Sequence, residues 1–292
     1  MWPPPPTELP VRLHAALPDA LRRPVRSAWA DANRGGAAIH SFLEGPCLDA
    51  AGRLHVVDIP HGRVLRVEDW ATVAEYGGWP NGMALAPDGA FVIADYRRGL
   101  LRLDPATGTP VPVLETVLSE SFKGLNDVIV HPDGSILFTD QGQTGLHDPS
   151  GRVWRLHPDG RLDRLIANGP SPNGLALNRD ATALYVAMTR SCEVWRFVLR
   201  RDAVVGKANL FHRIPAGTSG PDGMAVDAAD RLWIANPGHG LVWGVDPHGI
   251  ALFRLDCTPW GRMPTNCCLS ADGRTLMITE SDSGSILAAM LP

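Results

Sequence analysis

One short pattern is written six times along this chain, and it restricts the fold more than any other feature. It reads EGPCLDAAGRLHVVD from Glu44, NGMALAPDGAFVIAD from Asn81 and NDVIVHPDGSILFTD from Asn126. It returns as NGLALNRDATALYVAM from Asn173, DGMAVDAADRLWIAN from Asp222 and NCCLSADGRTLMITE from Asn266. These six anchor residues are spaced by 37, 45, 47, 49 and 44 residues. Fourteen residues after each anchor come Asp58, Asp95, Asp140, Ala187, Asn236 and Glu280, with one-residue slips expected in the fourth and sixth copies.

Positions two and four past the anchor are mostly apolar, as in Met83/Leu85 and Val128/Val130. Period-two apolarity is a strand signal. A tight turn such as APDG or HPDG then reverses the chain into a second strand. A third strand is visible in RVLRV, RVWRL and LVWGV, and a weaker fourth in TVAEY and IALFRL. Four strands per repeat at this period predict an all-β, six-bladed β-propeller with antiparallel blades over residues 37–292. The last repeat runs out after its third strand, so residues 1–36 are expected to form an extension. Part of that extension, around residues 11–17, should close the last blade as its outer strand. Residues 18–36 could hold a short helix.

In an up-and-down blade, alternate loops fall on opposite faces of the disc. The PDG turns share one face. The loops into each first strand (GGWP, SESFKG, GPSP, TSGP) share the other with those between strands two and three, such as DQGQTGLHDPSG and NPGHG. All six anchors are therefore expected around one mouth of the central channel. Any one Asn-Gly or Asp-Gly is also a strong turn dipeptide. Here, though, the hairpin turn comes about seven residues later, so the anchor does not make it. Glu44 and Asp222 are carboxylates, whereas Asn81, Asn126, Asn173 and Asn266 are carboxamides. A ring of hard oxygen donors suits Ca²⁺, Mg²⁺ or Mn²⁺ better than a soft metal. Two carboxylates in a dehydrated channel repel each other, and one divalent ion relieves this. Asp127 stands where other copies carry Gly or Cys, and either bonds the channel wall or reaches substrate.

The bulk composition removes other classes. Twenty-seven Lys and Arg against 31 Asp and Glu give a net charge of −4, with no basic stripe for nucleic acid. No apolar run approaches a membrane span, and the start, MWPPPPTELP, lacks the charged-then-apolar pattern of a secretory signal. Five cysteines without CxxC spacing argue against a disulfide framework or a zinc cluster, which suits a cytoplasmic location.

The stretches SFLEGP, KGLNDVIVHPDG, SPNGLAL, GPDGMAVD and ITESDSGSIL together resemble the senescence-marker-protein/gluconolactonase/luciferin-regenerating-enzyme family of six-bladed propellers, from about residue 40 onward. The resemblance implies a divalent ion held by Glu44, Asn173 and Asp222, with Asn126 touching ion or substrate. Ca²⁺ comes first, with Zn²⁺, Mn²⁺ or Mg²⁺ as alternatives. It also implies hydrolysis of a lactone, most often a sugar lactone. The metal would polarise the carbonyl and activate a water, with Asp222, and Glu44 beside it, in the catalytic roles. Asn81, Asn126, Asp127, His147 and Arg152 are the expected substrate contacts, with His239 a weaker candidate. Trp79 and Trp260 read as core rather than pocket wall, and Cys267-Cys268 as packing near the axis. Because fold and ion do not fix the substrate, other esters, aromatic lactones or organophosphates stay open, as does a non-enzymatic calcium-binding propeller.

Overall fold

The computed structural model describes residues 4–200, 206–215 and 219–292. Thr218, which opens the TSGP loop, and the first three residues of MWPPPP lie outside that set. Six blade sheets follow one another around an axis, the first four with their strands in chain order from the axis outward and the last two with an N-terminal strand outermost. Blade one is Leu43–Leu48, Leu54–Asp58, Arg63–Arg66 and Ala71–Glu75. Blade four is Pro172–Leu177, Ala183–Met188, Glu193–Val198 and Asn209–Arg213. All pairings within these two blades are antiparallel. The innermost strands contact one another around the ring, and the strand at Pro264–Leu269 meets Leu43–Leu48 to close it.

The core is divided rather than central. Each of six apolar clusters fills one seam between neighbouring blades. Val56 faces the seam with blade six, whereas its neighbour Val57 faces blade two. A middle strand covered on both sides must be apolar at successive positions, and this explains runs such as FVIA and LYVAM.

The last blade is completed from the other end of the chain. Arg12–Ala16 pairs antiparallel with Ser285–Met290 and forms its outermost strand. A second N-terminal strand lies outside the repeat register. Thr7–Leu9 adds in parallel to Ala251–Asp256, as a fifth strand on blade five. Residues 7–16 thus bridge the two blades on either side of one seam. The short helix expected in 18–36 is Ala28–Asn33, with the Ser27 side chain accepting from the Ala30 amide at its start.

The expected slips occur in both places. Blade four's hairpin turn is one residue longer, so Met188 rather than Ala187 ends its second strand, opposite Pro172. Blade six has the same extra residue, and Glu280 lies opposite Pro264. In blade one the equivalent pair is Asp58 and Leu43. The residue equivalent to Glu44 is therefore Thr265, and Asn266 is equivalent to Asp127.

Candidate metal centre and the cavity above it

Two cavities lie along the axis, one toward each face of the ring. The one at the long-loop mouth encloses about 260 Å³. Glu44, Asn81, Asn126, Asn173 and Asp222 lie at its floor, contributed by five successive blades. The sixth anchor is not with them. Asn266 lines the cavity on the PDG face instead, together with Asp127, Cys267 and Cys268. At the true sixth ring position Thr265 is fully buried, and its hydroxyl donates to the Leu43 carbonyl at 2.9 Å. The expected ring of six is a ring of five.

Asp127 and Asn266 do the same job in opposite blades. The backbone N–H of each donates to a threonine hydroxyl on the neighbouring strand, Thr139 at 2.9 Å and Thr279 at 3.0 Å. Each side chain accepts from the next amide, Val128 at 2.8 Å and Cys267 at 2.8 Å. Asp127 also accepts from the Leu175 amide of blade four at 3.1 Å, stitching two blades. A Cβ on Gly82 would fall 2.3 Å from Asp127, and one on Gly223 would fall 1.9 Å from Asn266. Glycine is required beside each of these side chains, and this explains the pairs Asn81-Gly82 and Asp222-Gly223.

The floor is electrostatically frustrated. Burial pushes the Glu44 carboxyl up to about 7, against donation from the Gly45 amide and the Asn266 side chain, with Asp127 adding to the rise. Burial, followed by Glu44 and Asp127, raises Asp222 well above the usual carboxylate range. Burial likewise lifts Asp127 to about 6. Such a site favours either protons or a cation.

The donor chemistry fits a hard divalent cation. Glu44 Oε2 is occupied by Gly45 N at 2.9 Å and Asn266 Nδ2 at 3.0 Å, so Oε1 is the oxygen left for a ligand. Asn126 Nδ2 donates to Gln141 Oε1 at 2.9 Å, which leaves its own Oδ1 for the cavity. Asn173 hydrogen-bonds Asp222. Among the described residues no group of three or more His, Cys, Asp or Glu side chains is arranged to hold an ion. An ion on this floor therefore depends on the carboxamides, as hard-cation sites allow.

The loops above divide into two walls. Trp29, Phe42, Ile59 and Met263 make an apolar side, and Gln141, Thr144, Ser171 and Thr189 a polar one. The helix Ala28–Asn33 is part of the wall, through Trp29 and Asn33, and Arg34 follows it. None of these helix residues belongs to the repeat, so the repeat register carries no signal for them. Arg34 is fixed by an ion pair to Asp282 at 2.9 Å.

Three expected substrate contacts are not brought to this cavity. Asp127 faces the opposite side, as described. Arg152 is held by the Asp140 carboxylate at 2.5 Å, on the rim of its own blade. His147 is exposed on the loop 141–150, whose near end supplies the cavity residues instead. There Gln141 donates to Ser171 Oγ at 2.9 Å, and Gln143 to Tyr96 Oη at 3.0 Å. His239 follows the lining residues Pro237 and Gly238 and is not itself one. Trp79 packs beside the Trp29–Phe42 cluster, and Trp260 against the seam of blades five and six. Burial pushes both Cys267 and Cys268 thiols up, which makes thiolate chemistry unfavourable.

Residues 42–282 match the model of the SMP-30/Gluconolactonase/LRE-like region. A gluconolactonase of Zymomonas mobilis is 33% identical over 69% of this chain and 60% of its own length. The pentonolactonase XacC of Haloferax volcanii is 31% identical over 45% of this chain and 44% of its own. The chain thus spans about two-fifths to three-fifths of the length of these relatives. A solved gluconolactonase structure from Xanthomonas campestris superposes with a TM-score of 0.76 at 28% identity, over 96% of this chain and 99% of that one.

Proposed function

The chain belongs to the SMP-30/gluconolactonase/LRE-like family, and from that premise we propose that it hydrolyses a lactone, with a sugar lactone as the substrate class. The observation that carries this reading is the pair of carboxylates on the floor, Glu44 buried and Asp222 half-buried, under a cavity with room for one small ring. Glu44, Asn126, Asn173 and Asp222 would hold a divalent ion, Ca²⁺ first among the candidates. Such an ion supplies Lewis-acid polarisation of the ester carbonyl and charge for the developing oxyanion.

The chain's own residues supply orientation and proton transfer. Asn81 and Asn126 present amide groups at the floor, where a lactone carbonyl and its neighbouring hydroxyls come to rest. Asp222, on the floor beside the water's path to the carbonyl, would act as the general base. It takes a proton from the water that attacks the carbonyl carbon and returns it to the ring oxygen as the C–O bond breaks. The polar wall, with Gln141 and Ser171 already tied together, offers hydroxyl-directed contacts without reorganising. The five free cysteines agree with a reducing compartment, and we place the protein in the cytoplasm.

A lactone panel followed by proton release tests the reading, using metal-stripped protein and the same protein with Ca²⁺, Mn²⁺, Mg²⁺ or Zn²⁺ restored. Hydrolysis of at least one lactone that returns only with metal is the expected result. Equal rates without metal remove the ion from the reaction, and no hydrolysis of any lactone removes the function.

A further inference from the structure

In blades one, three and six the acid that ends the second strand has a common use on the long-loop face, accepting from an amide of the loop that leads into the first strand. In blade one Asp58 accepts from the Phe42 amide at 2.8 Å and holds Arg63 at 2.7 Å. In blade three Asp140 accepts from the Gly124 amide at 3.0 Å and holds Arg152 at 2.5 Å. In blade six Glu280 accepts from the Met263 amide at 2.9 Å, and two residues later Asp282 holds Arg34. Each of these arginines is neutralised by a carboxylate of the blade it lies against. In blade two Arg97 and Arg98 instead lie over the rings of Trp79 and Tyr76, at 5.0 and 5.7 Å.

Blade four breaks the pattern. Its position is taken by Met188, which is fully buried and has no charge to offer. Two residues on, Arg190 lies in the turn Thr189–Ser191 and lines the cavity. Its backbone is anchored by its own N–H to the Pro170 carbonyl at 3.3 Å, and its stem runs beside Gly145 of blade three's loop. Among the described residues its guanidinium makes no hydrogen bond or ion pair.

We propose that Arg190 makes this site select lactones whose ring carries an oxyanion substituent, a carboxylate or a phosphate. This rests on the reading of the cavity as the lactone site. An arginine fork matches either oxyanion in a bidentate manner. The polar wall on which it stands, with Thr189 and Ser171, leaves the apolar wall of Trp29 and Phe42 for the ring face. Because Arg190 is exposed, water and salt weaken the contact, and roughly a tenfold preference is the scale to expect.

Two measurements on the metal-loaded protein decide it. The first compares kcat/KM for a neutral aldonolactone, a carboxylate-bearing aldarolactone and a 6-phosphorylated aldonolactone, in wild type, Arg190→Gln and Arg190→Lys. The anionic-to-neutral ratio should exceed one by about tenfold in wild type and shrink with salt. It should collapse in Arg190→Gln and fall partway in Arg190→Lys, and the larger of the two anionic ratios identifies the oxyanion. The second uses calorimetry to compare binding of an aldarate with an aldonate, which needs no turnover. Wild type should favour the dianion, and Arg190→Gln should not. A wild type without preference in both measurements, or ratios unchanged by Arg190→Gln, overturns the proposal while neutral-lactone turnover still supports the lactonase reading. If no lactone is hydrolysed, that reading fails, and the calorimetry alone decides Arg190.

Discussion

Asn266 Nδ2 donates to Glu44 Oε2 at 3.0 Å, across the seam where the last blade meets the first. The carbonyl end of the same amide is tied to the Cys267 N–H at 2.8 Å, so the group cannot rotate away. Glu44 is therefore oriented by a residue that never reaches the upper cavity. Outer partners of this kind typically contribute 10–100-fold to metal affinity. Asn266→Ala should weaken divalent-ion binding by about that factor, read by calorimetry against a fluorescent chelator competitor. A circular-dichroism melt of the same variant with saturating ion should stay cooperative. Unchanged affinity would show that Gly45 N alone holds the carboxylate.

Asp222 and Asn81 share the floor but differ in what each could do. Asp222 carries a carboxyl raised by burial and Glu44, and is the proton acceptor of the proposed reaction. Asn81 is a neutral amide with no proton to take up. Asp222→Ala should cut kcat by roughly 10²–10⁴, the range of general base catalysis. Asn81→Ala should act mainly on KM, by less than about tenfold. Equal losses in the two variants would contradict the division of roles.

The raised carboxyls also set a pH dependence. Glu44 stands at about 7 in the folded chain against 4.5 in the unfolded one. Between those values the folded state keeps a proton that the unfolded state has released. That stabilisation is fully present below about 4.5 and is lost as the pH rises through about 7. Each tenfold difference in proton affinity between the two states contributes about 1.4 kcal/mol. Metal-stripped protein should therefore lose stability in urea between pH 5 and pH 8, in the same direction as the rise of Asp127 to about 6. Ion binding needs the ionised forms, so the stabilisation it adds should grow over the same window. Glu44→Gln should flatten the metal-free slope. A metal-free stability that stays flat over this range would show that the carboxyls are already ionised in the folded chain.

Most of this architecture is legible in the sequence because the blade is a local object. Alternating apolarity, a PDG turn and a terminal acid all fall within fifteen residues, and repetition turns weak signals into a register. The failure at Asn266 has a readable cause. Its Asp-Gly turn begins six residues later, at Asp272, whereas those of Asn81 and Asn126 begin seven later, at Asp88 and Asp133. Counting from the turn identifies Thr265, but asparagine is chemically the more attractive choice. The terminal acids are visible as a series, yet their use as loop latches depends on arginines and amides brought together only by folding, as with Asp58 and Arg63. Trp29 and Arg34 lie outside the repeat altogether, and only tertiary packing places them on the cavity wall.

The N-terminal strands are the remaining element whose weight can be measured. Arg12–Ala16 covers the edge of Ser285–Met290, and Thr7–Leu9 extends the neighbouring blade. Between them they bridge the seam of blades five and six and cover a strand edge of the last blade that would otherwise be exposed. Leu17, just beyond, is 2% exposed and packs in the cluster shared by blades six and one. Leu17→Ala should cost about 2–5 kcal/mol, the range for a buried leucine left as a cavity. Removal of residues 1–16 should cost more and lower the melting temperature sharply, because it takes away two strand pairings at once. Arg22 should report the same coupling, since its guanidinium ties the Leu17 and Ser283 carbonyls, each at 2.8 Å. Arg22→Gln should fall below Leu17→Ala in severity, because part of its side chain is exposed and water replaces what is lost. Differential scanning calorimetry of the three variants checks the order. A truncated protein that melts with the wild type would mean that the ring is closed by the packing of blades six and one alone.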